Sequence, residues 1–235
     1  MKLAIVCCLH GNEKYGLEVM KKLSSHASFF IGNPLAVKKN KRFIDSDLNR
    51  SFPGNKNGNY EEKQAHTLLK ELKYSNYVLD LHSSSNNCPL FGIITKPNKD
   101  KIEFARKLGL KKLVIMPKHF ASGKSLIDFV KCGISLEVGP HERKENVSEV
   151  VNLIKNLEEN NPKDKLEIYQ IFSIIPKKEG KILIENFQEV KKGQIISKRR
   201  LTQKARFDFT PVLVNEKSYK GVLCLACKKA NTNKF

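Results

Sequence analysis

The amino-acid sequence predicts an α/β fold in which a mainly parallel sheet is flanked by helices and followed by a small β-rich C-terminal domain. Two observations support this fold class. Up to about residue 162, short apolar runs alternate with stretches that carry the helical spacing of apolar residues. A polar segment at residues 158–165 ends this pattern, and short strand-like runs separated by glycine turns follow. We therefore predict two domains, residues 1–162 and residues 163–235.

The individual elements follow from the same patterns. Apolar runs predict strands at residues 2–8, 28–32, 77–82, 90–95, 112–116 and 133–138. Helical spacing predicts helices at Glu13–Leu23, Tyr60–Leu72, Lys101–Leu108 and Val147–Leu157. Functional residues in parallel α/β sheets gather beyond the carboxyl ends of strands, so the polar residues that end the first, third and sixth strands are the first candidates.

The charge is strongly positive, with 43 lysine and arginine residues against 24 acidic ones and a formal net charge of +19. Most of the excess is scattered lysine, and the one dense cluster, residues 198–200, has no aromatic residue beside it. Nucleic-acid-binding surfaces usually cluster their basic residues and interleave aromatic ones, so the pattern favours a solvated surface over a nucleic-acid interface. The electric field of this positive net charge would still attract a small anionic substrate.

Cysteine usage and hydropathy indicate a cytoplasmic protein without a membrane span. Of the six cysteines, only Cys224 and Cys227 form a C-x-x-C pair, which lies in an apolar strand-like stretch and is predicted to be two ordinary buried thiols. No apolar run approaches the roughly 20 residues of a membrane-spanning helix. The first apolar run ends at His10 without a small-residue cleavage site, so we interpret it as a strand rather than a signal peptide.

A candidate metal site begins at His10-Gly11-Asn12-Glu13, between the first strand and the first helix. Catalytic zinc commonly takes two histidines and one carboxylate and keeps a fourth position open, and His82 at the end of the third strand supplies the missing ligand. Asp80 shares a strand face with His82 and is a candidate to orient it. The alternatives are a helix cap at Asn12 and a hydrogen-bonded structural role for His82.

Glu137 lies within the apolar run Ile134–Pro140. A buried carboxylate is costly unless a site uses it, so we predict that Glu137 is a general base that takes a proton from the attacking water and passes it to the leaving amine. The alternative is a glutamate on an edge strand that faces solvent.

The segment Arg42–Arg50 holds two arginines, two aspartates and an asparagine within nine residues. Arg42 is a candidate to stabilise an oxyanion, and Asn49 with Arg50 a candidate to hold a substrate carboxylate. The alternative is a loop of internal salt bridges. Both readings are compatible if Asp45 or Asp47 orients the arginines.

The segments H-G-N-E, R-x-I-D-x-D-L-N-R, L-D-L-H and L-E-V-G-P together resemble the aspartoacylase/succinylglutamate desuccinylase family of zinc-carboxypeptidase-like amidohydrolases, in order and in approximate spacing. The stretch Thr210–Tyr219 is also similar to a family segment with an active-site tyrosine. The resemblance implies a zinc-carboxypeptidase-like domain followed by a β domain that narrows the substrate channel. The implied roles are one Zn²⁺ held by His10, Glu13 and His82, catalysis by Glu137 and Arg42, and substrate binding by Asn49, Arg50 and Tyr219.

The function implied is zinc-dependent hydrolysis of an N-acyl amino acid of the acyl-aspartate or acyl-glutamate kind, which releases a carboxylate and a free amino acid. One departure concerns the substrate. Aspartoacylases use a further arginine shortly before the catalytic glutamate, whereas no arginine lies between Arg106 and Arg143 here, and the candidates to replace it, Lys124 and Lys131, lack its planar fork.

Two alternatives remain at the level of sequence. A metallocarboxypeptidase that trims short peptides would use the same metal and arginines. A basic nucleic-acid-binding protein with a structural zinc is disfavoured, because structural sites usually have four ligands and are rich in cysteine. The sequence leaves the oligomeric state, including a homo-oligomer, open.

Overall fold

A computed structural model describes residues 2–23, 27–118, 120, 123–159, 165–199 and 202–230. In these ranges nine strands form one mixed sheet in the order β11-β12-β7-β5-β4-β6-β3-β1-β2, and three further strands form a separate sheet in the order β10-β9-β8. The strands of the large sheet are β1 (Leu3–Cys7), β2 (Ser28–Ile31), β3 (Tyr77–Ser84), β4 (Phe91–Ile94), β5 (Lys112–Ile115), β6 (Gly133–Pro140), β7 (Glu167–Pro176), β11 (Thr210–Val212) and β12 (Val222–Lys229). The small sheet contains β8 (Lys181–Ile182), β9 (Ile195–Lys198) and β10 (Thr202–Lys204).

Strand direction divides seven of the nine strands of the large sheet into two groups. Strands β2, β1, β3 and β6 are mutually parallel, and so are β4, β5 and β7. The two groups meet at an antiparallel pairing of β4 with β6. The remaining two strands are antiparallel to their neighbours, β12 to β7 and β11 to β12. The carboxyl ends of β1, β3 and β6 therefore lie at the same edge of the sheet, which is where the candidate site residues were predicted. The predicted α/β fold with a mainly parallel sheet is confirmed.

The helices are α1 (Tyr15–Leu23), α2 (Pro34–Lys39), α3 (Tyr60–Leu72), α4 (Lys99–Lys107) and α5 (Glu145–Glu159). The starts of α2, α3 and α4 follow ordinary capping chemistry, with an asparagine side chain as the cap. Asn59 accepts from the backbone N–H of Glu62, whose side chain accepts in return from Asn59 N, so α3 begins with a capping box. The short helix α2, which the sequence analysis missed, has the same kind of signal in Asn33, whose side chain caps it, and in Pro34 at its first position.

All six predicted strands and all four predicted helices are present, with ends shifted by a few residues. One shift matters for the site. The first helix begins at Tyr15 rather than Glu13, which stays in the preceding turn, where its backbone N–H bonds to His10 O. The alternative in which Asn12 caps this helix is wrong, because Asn12 Oδ1 has no hydrogen-bond partner among the described groups.

The C-terminal part contributes to both sheets. Strands β7, β11 and β12 extend the large sheet, while β8, β9 and β10 form the small one. The predicted boundary at residue 162 lies outside the described residues, and the division into two domains stays a prediction. Cys224 and Cys227 are free, buried and members of different core clusters, as expected of ordinary buried thiols.

Two further predictions concern the basic cluster and membrane-spanning helices. Within the basic cluster at residues 198–200, Arg199 pairs with the carboxylate of Glu179, whereas Arg200 lies outside the described residues. Among the described helices, none is both long enough and apolar enough to cross a bilayer.

Candidate functional site

His10, Glu13 and His82 form one buried cluster. His10 Nδ1 lies 2.8 Å from Glu13 Oε1, and His82 Nδ1 lies 3.1 Å from Glu13 Oε2. One ligand atom from each residue falls within 4.8 Å of the other two, and the exposed fraction is no more than 4% for any of the three. Side chains that are 72 positions apart in sequence thus meet because β1 and β3 are neighbours in the sheet.

Gly11 permits close packing of α2 against the turn between His10 and Glu13. A Cβ atom at this position would lie 2.2 Å from the backbone carbon of Ala36, in helix α2. The Gly11 N–H also bonds to Arg42 O at 3.1 Å. The absent side chain therefore lets α2 and the segment that follows it lie directly against the His10 turn.

Opposite charges stabilise the cluster even though it is buried. Burial alone raises the pKa of Glu13, but the adjacent His10 and His82 outweigh burial and hold that pKa well below its usual range. Burial lowers the pKa of His82, and Asp80 together with Glu13 reverses the shift, so that the net pKa lies well above that of an ordinary histidine. The site is therefore built to hold positive charge between these side chains, and two imidazoles with one carboxylate are a donor set that suits zinc.

The outer nitrogens of the two histidines bind carboxylates. His82 Nε2 lies 2.7 Å from Asp80 Oδ2, which also accepts a hydrogen bond from Ser135 Oγ at 3.0 Å. His10 Nε2 lies 3.2 Å from Asp47 Oδ1. These contacts fix the ring orientations and leave both Nδ1 atoms directed at Glu13, as outer carboxylates do for histidine ligands in metal sites. Asp80 was predicted for this position, whereas the contacts of Asp47 with His10 and of Ser135 with Asp80 were not.

The Arg42–Arg50 segment lies over the cluster. Arg42 Nη2 donates to Asp47 Oδ2 at 3.0 Å and lies 2.8 Å from His10 Nε2. Asn49 Nδ2 lies 3.3 Å from His82 Nε2, and Arg50 Nη1 donates to Asn49 O at 2.8 Å. Of the two aspartates considered for orienting the arginines, Asp47 contacts Arg42.

The other aspartate of this segment, Asp45, has a different role. Its Oδ2 accepts from the backbone N–H of Tyr60 at 3.0 Å, at the start of α3. Asp45 thus ties the segment to a helix and does not orient an arginine.

A fully buried glutamate, Glu61, binds the backbone of the Arg42–Arg50 segment. Each carboxylate oxygen of Glu61 accepts two hydrogen bonds. Oε1 accepts from Ile44 N at 2.7 Å and from Asn33 Nδ2 at 3.0 Å. Oε2 accepts from Asp45 N at 2.9 Å and from Ser46 N at 3.2 Å. Glu61 was missed by the sequence analysis. Its sequence context does not distinguish it from Glu62, because both lie in the first turn of α3.

Glu137 lies directly opposite His82 in the pairing of β6 with β3. Strand β6 is an interior strand and Glu137 lines a cavity, so the alternative of an edge-strand glutamate is wrong. Burial raises the pKa of Glu137 to about 7, with Glu13 and Glu216 adding to the shift and His82 opposing it. A carboxyl group with this pKa can both accept and release a proton near neutral pH.

Tyr219 comes from the loop between β11 and β12. Ser85 holds this loop in place, because its N–H and its hydroxyl each donate to the carboxylate of Glu216 at 2.8 Å. Burial raises the pKa of Tyr219, while the neighbouring Arg50 opposes the rise. The C-terminal part of the chain thus closes one side of the cavity.

One cavity is lined by all eight of the residues predicted to form the site, namely His10, Glu13, Arg42, Asn49, Arg50, His82, Glu137 and Tyr219. The two lysines considered as replacements for a missing arginine are not among its lining residues. Lys124 and Lys131 are both exposed. The cavity therefore combines a candidate metal cluster, a carboxyl group with a pKa near 7 and two guanidinium groups, a set suited to the hydrolysis of an amide in an anionic molecule.

Comparison with known proteins places this site in a family. Residues 1–157 match the model of the Succinylglutamate desuccinylase/Aspartoacylase catalytic domain. A probable aspartoacylase from Acaryochloris marina is 32% identical over 162 residues, covering 59% of this chain and 55% of that protein. An N-acyl-aromatic-L-amino acid amidohydrolase (carboxylate-forming) from Xenopus tropicalis is 29% identical over 171 residues, covering 59% of this chain and 54% of that protein. The chain thus spans about half the length of these relatives.

Solved structures with the same fold cover the chain almost completely. Murine aminoacylase 3 superposes with a TM-score of 0.81 at 20% identity, covering 98% of this chain and 95% of that one. A succinylglutamate desuccinylase/aspartoacylase from Rhodobacter sphaeroides gives a TM-score of 0.79 at 14% identity, covering 98% and 86% respectively. At these identities the similarity concerns the fold, and it includes the β-rich C-terminal part.

Proposed function

The chain belongs to the succinylglutamate desuccinylase/aspartoacylase family, and on that premise we propose that it is a zinc-dependent amidohydrolase acting on N-acyl amino acids. The products are a carboxylate and a free amino acid. The observation that carries the proposal is the convergence of His10, Glu13 and His82 within 4.8 Å, in the cavity that Glu137 also lines. Relatives named aspartoacylase and N-acyl-aromatic-L-amino acid amidohydrolase support the reaction class.

The residues present fit a zinc ion. His10, Glu13 and His82 would hold it through two imidazole nitrogens and one carboxylate, and Asp80 and Asp47 already bind the outer histidine nitrogens. When bound, zinc supplies Lewis-acid polarisation of the attacking water and of the substrate carbonyl. The six unpaired cysteines support a reducing, cytoplasmic compartment as part of the proposal.

Glu137 carries the proton in the proposed reaction. Its carboxylate accepts a proton from the water that attacks the acyl carbonyl, and the protonated side chain then delivers that proton to the departing amine nitrogen. Its raised pKa, about 7, suits both transfers, because neither protonation state is strongly disfavoured at neutral pH.

Two arginines act on the two negative charges present during the reaction, the substrate's α-carboxylate and the oxyanion that forms from its carbonyl group. Arg42, held by Asp47, faces the oxyanion that forms on the carbonyl oxygen. Asn49 and Arg50 bind the α-carboxylate, since the Arg50 guanidinium has further N–H groups besides the one that donates to Asn49 O. Tyr219, next to Arg50, closes the cavity over the bound amino acid.

The proposal is tested by metal analysis of the purified protein, followed by a panel of N-acyl amino acids and dipeptides with and without a chelator. We expect about one zinc per chain, and hydrolysis of N-acyl amino acids that stops on chelation and returns with zinc. Cleavage of dipeptides alone would favour the metallocarboxypeptidase alternative. A metal-free protein without any amidase activity, or activity indifferent to the chelator, would refute the proposal.

A further inference from the structure

The cavity changes character between its opening and its inner end. At the opening, Arg42, Arg50 and Glu216 are half-buried and Ser218 is exposed. Eight further lining residues outside the predicted site are buried, with none more than 6% exposed. Six of them lie on or next to β4, β5, β6 and residues 126–128, and we call these six the inner end: Ile93, Thr95, Met116, Ser125, Ile127 and Ser135. The other two are Ser83 and Leu213.

The antiparallel junction of the sheet forms this inner end. Ile93 of β4 lies opposite Ser135 of β6, and Met116 follows β5, bonding through its N–H to Ile94 O. A short 3-10 helix, Leu126–Asp128, brings Ile127 to the same space. Apolar side chains from three elements thus surround a space adjacent to Ser135, whose hydroxyl bonds to the carboxylate that holds His82.

Two of the three hydroxyl groups of the inner end already donate hydrogen bonds to side chains of the protein. Ser135 Oγ donates to Asp80 Oδ2 at 3.0 Å, and Ser125 Oγ donates to Asp128 Oδ2 at 2.6 Å. Thr95 Oγ1 has no hydrogen-bond partner among the described groups. A substrate group in this space would therefore find one uncommitted hydroxyl.

No cationic side chain belongs to the inner end as the described residues define it. Lys101 comes near, since its Nζ donates to Thr95 O at 2.7 Å, but it does not line the cavity. Lys124 and Lys131 are exposed and do not line it either. The two arginines of the cavity are assigned to the oxyanion and to the α-carboxylate, so a second substrate carboxylate has no cation left to bind it.

We infer that the inner end receives an uncharged, apolar group of the substrate, so that the protein prefers N-acyl amino acids with such a group to acyl-aspartates and acyl-glutamates. This inference rests on the proposed amide hydrolysis and replaces the acidic substrate expected from the sequence. An ionised carboxylate at the inner end would lose its water for a single hydroxyl, at a high free-energy cost, whereas Ile93, Met116 and Ile127 offer apolar contact to an aliphatic or aromatic group. The group is either the amino-acid side chain or the acyl chain.

Two arms of a substrate panel separate these sources, with kcat/KM measured on the zinc-loaded protein. The first arm compares N-acetyl-leucine with N-acetyl-aspartate, and the second compares N-butyryl-glycine with N-succinyl-glycine. We expect the apolar member to be favoured at least about 100-fold in the arm whose variable group enters the inner end. Comparable rates, or preference for the charged member, in both arms would overturn the inference while leaving amide hydrolysis intact. An absence of hydrolysis throughout would refute the proposed function, and this inference with it.

Variants locate the effect. Met116→Lys places a cation of similar length at the inner end and should reduce the preference for the apolar member at least about tenfold, whereas Met116→Leu should preserve it. Lys124→Ala and Lys131→Ala are matched controls: both should leave the preference within about twofold of wild type, since surface charges away from a site have small effects. A loss of acyl-aspartate hydrolysis in either alanine variant alone would show that a lysine reaches the substrate, and would overturn the inference.

Discussion

Replacing the buried carboxylate of Glu61 by an amide should strongly destabilise the protein. The Glu61→Gln side chain keeps the shape of glutamate but has one acceptor oxygen instead of two. Each Glu61 oxygen accepts two hydrogen bonds, so whichever oxygen becomes an amide nitrogen, two donors lose their acceptor and face another donor. The residue is fully buried, so water cannot compensate.

The magnitude follows from these contacts. Hydrogen bonds to a charged group contribute about 1.5–3 kcal/mol each, so the loss of two predicts a destabilisation of about 3–6 kcal/mol. This is a large share of the roughly 5–15 kcal/mol by which domains are usually stable. Because Glu61 holds the segment that carries Asn49 and Arg50, KM should rise as well in any variant protein that folds.

The assay is urea unfolding of metal-free wild-type and variant protein, so that altered metal binding does not enter the free energy of unfolding. Glu62→Gln is the matched control, one residue along the same helical turn. Glutamine also serves in a capping box, so this control should change stability by no more than about 0.5 kcal/mol. If Glu61→Gln lay within about 1 kcal/mol of Glu62→Gln, the argument that Glu61 anchors the segment would be refuted.

Four further predictions concern the site. Glu137→Gln should reduce kcat by at least about 100-fold with zinc content unchanged, since it removes the proton carrier and no ligand; near-normal turnover would exclude Glu137 as the base. Because that base must be ionised, kcat/KM should fall about tenfold per pH unit on the acid side of its pKa. This pKa is about 7 without metal and lower beside a cation, so an acid limb centred well above pH 7 would contradict the assignment. Asp80→Asn should weaken zinc binding about 10–100-fold, measured by competition with a chromophoric chelator, and unchanged affinity would show that Asp80 does not support His82. Zinc at 100 times the wild-type Kd should stabilise the wild type by about 2.7 kcal/mol in thermal unfolding. An equal stabilisation of His82→Ala at the same zinc concentration would show that the metal binds elsewhere.

Local patterns in the sequence were sufficient for six strands, four helices and the site motifs, whereas the strands β7–β12 were expected only as strand-like runs without bounds. Strand and helix periodicity is a property of neighbouring residues, so the predicted elements were found with small shifts at their ends. The same locality explains the motifs: His10 and Glu13 are joined by one turn, and Asp80 shares a strand face with His82. Where a local signal was overlooked, as for α2 with its Asn33 cap and Pro34, the missing element was short and its signal lay in only two residues.

Residue type and spacing could not distinguish side chains whose roles depend on distant neighbours. Glu61 and Glu62 have the same chemistry and adjoin in one helical turn, yet Glu61 is fully buried under the Arg42–Arg50 segment while Glu62 caps a helix. Likewise, Asp45 and Asp47 are equivalent in the motif, but one binds the start of α3 and the other binds Arg42 and His10. Packing of whole elements, which leaves no periodic trace, separates these cases.

By itself, the sequence determined the α/β class, the strand ends at which polar residues gather, and the set of side chains able to form a metal and proton-transfer site. The tertiary structure alone decided what surrounds that set. The inner end of the cavity is assembled by the antiparallel pairing of β4 with β6 and by the 3-10 helix over it, which bring together residues as far apart as Ile93 and Ser135. The physical reason is that hydrophobic periodicity reports which face of an element is buried, whereas the order and direction of strands decide what that face contacts.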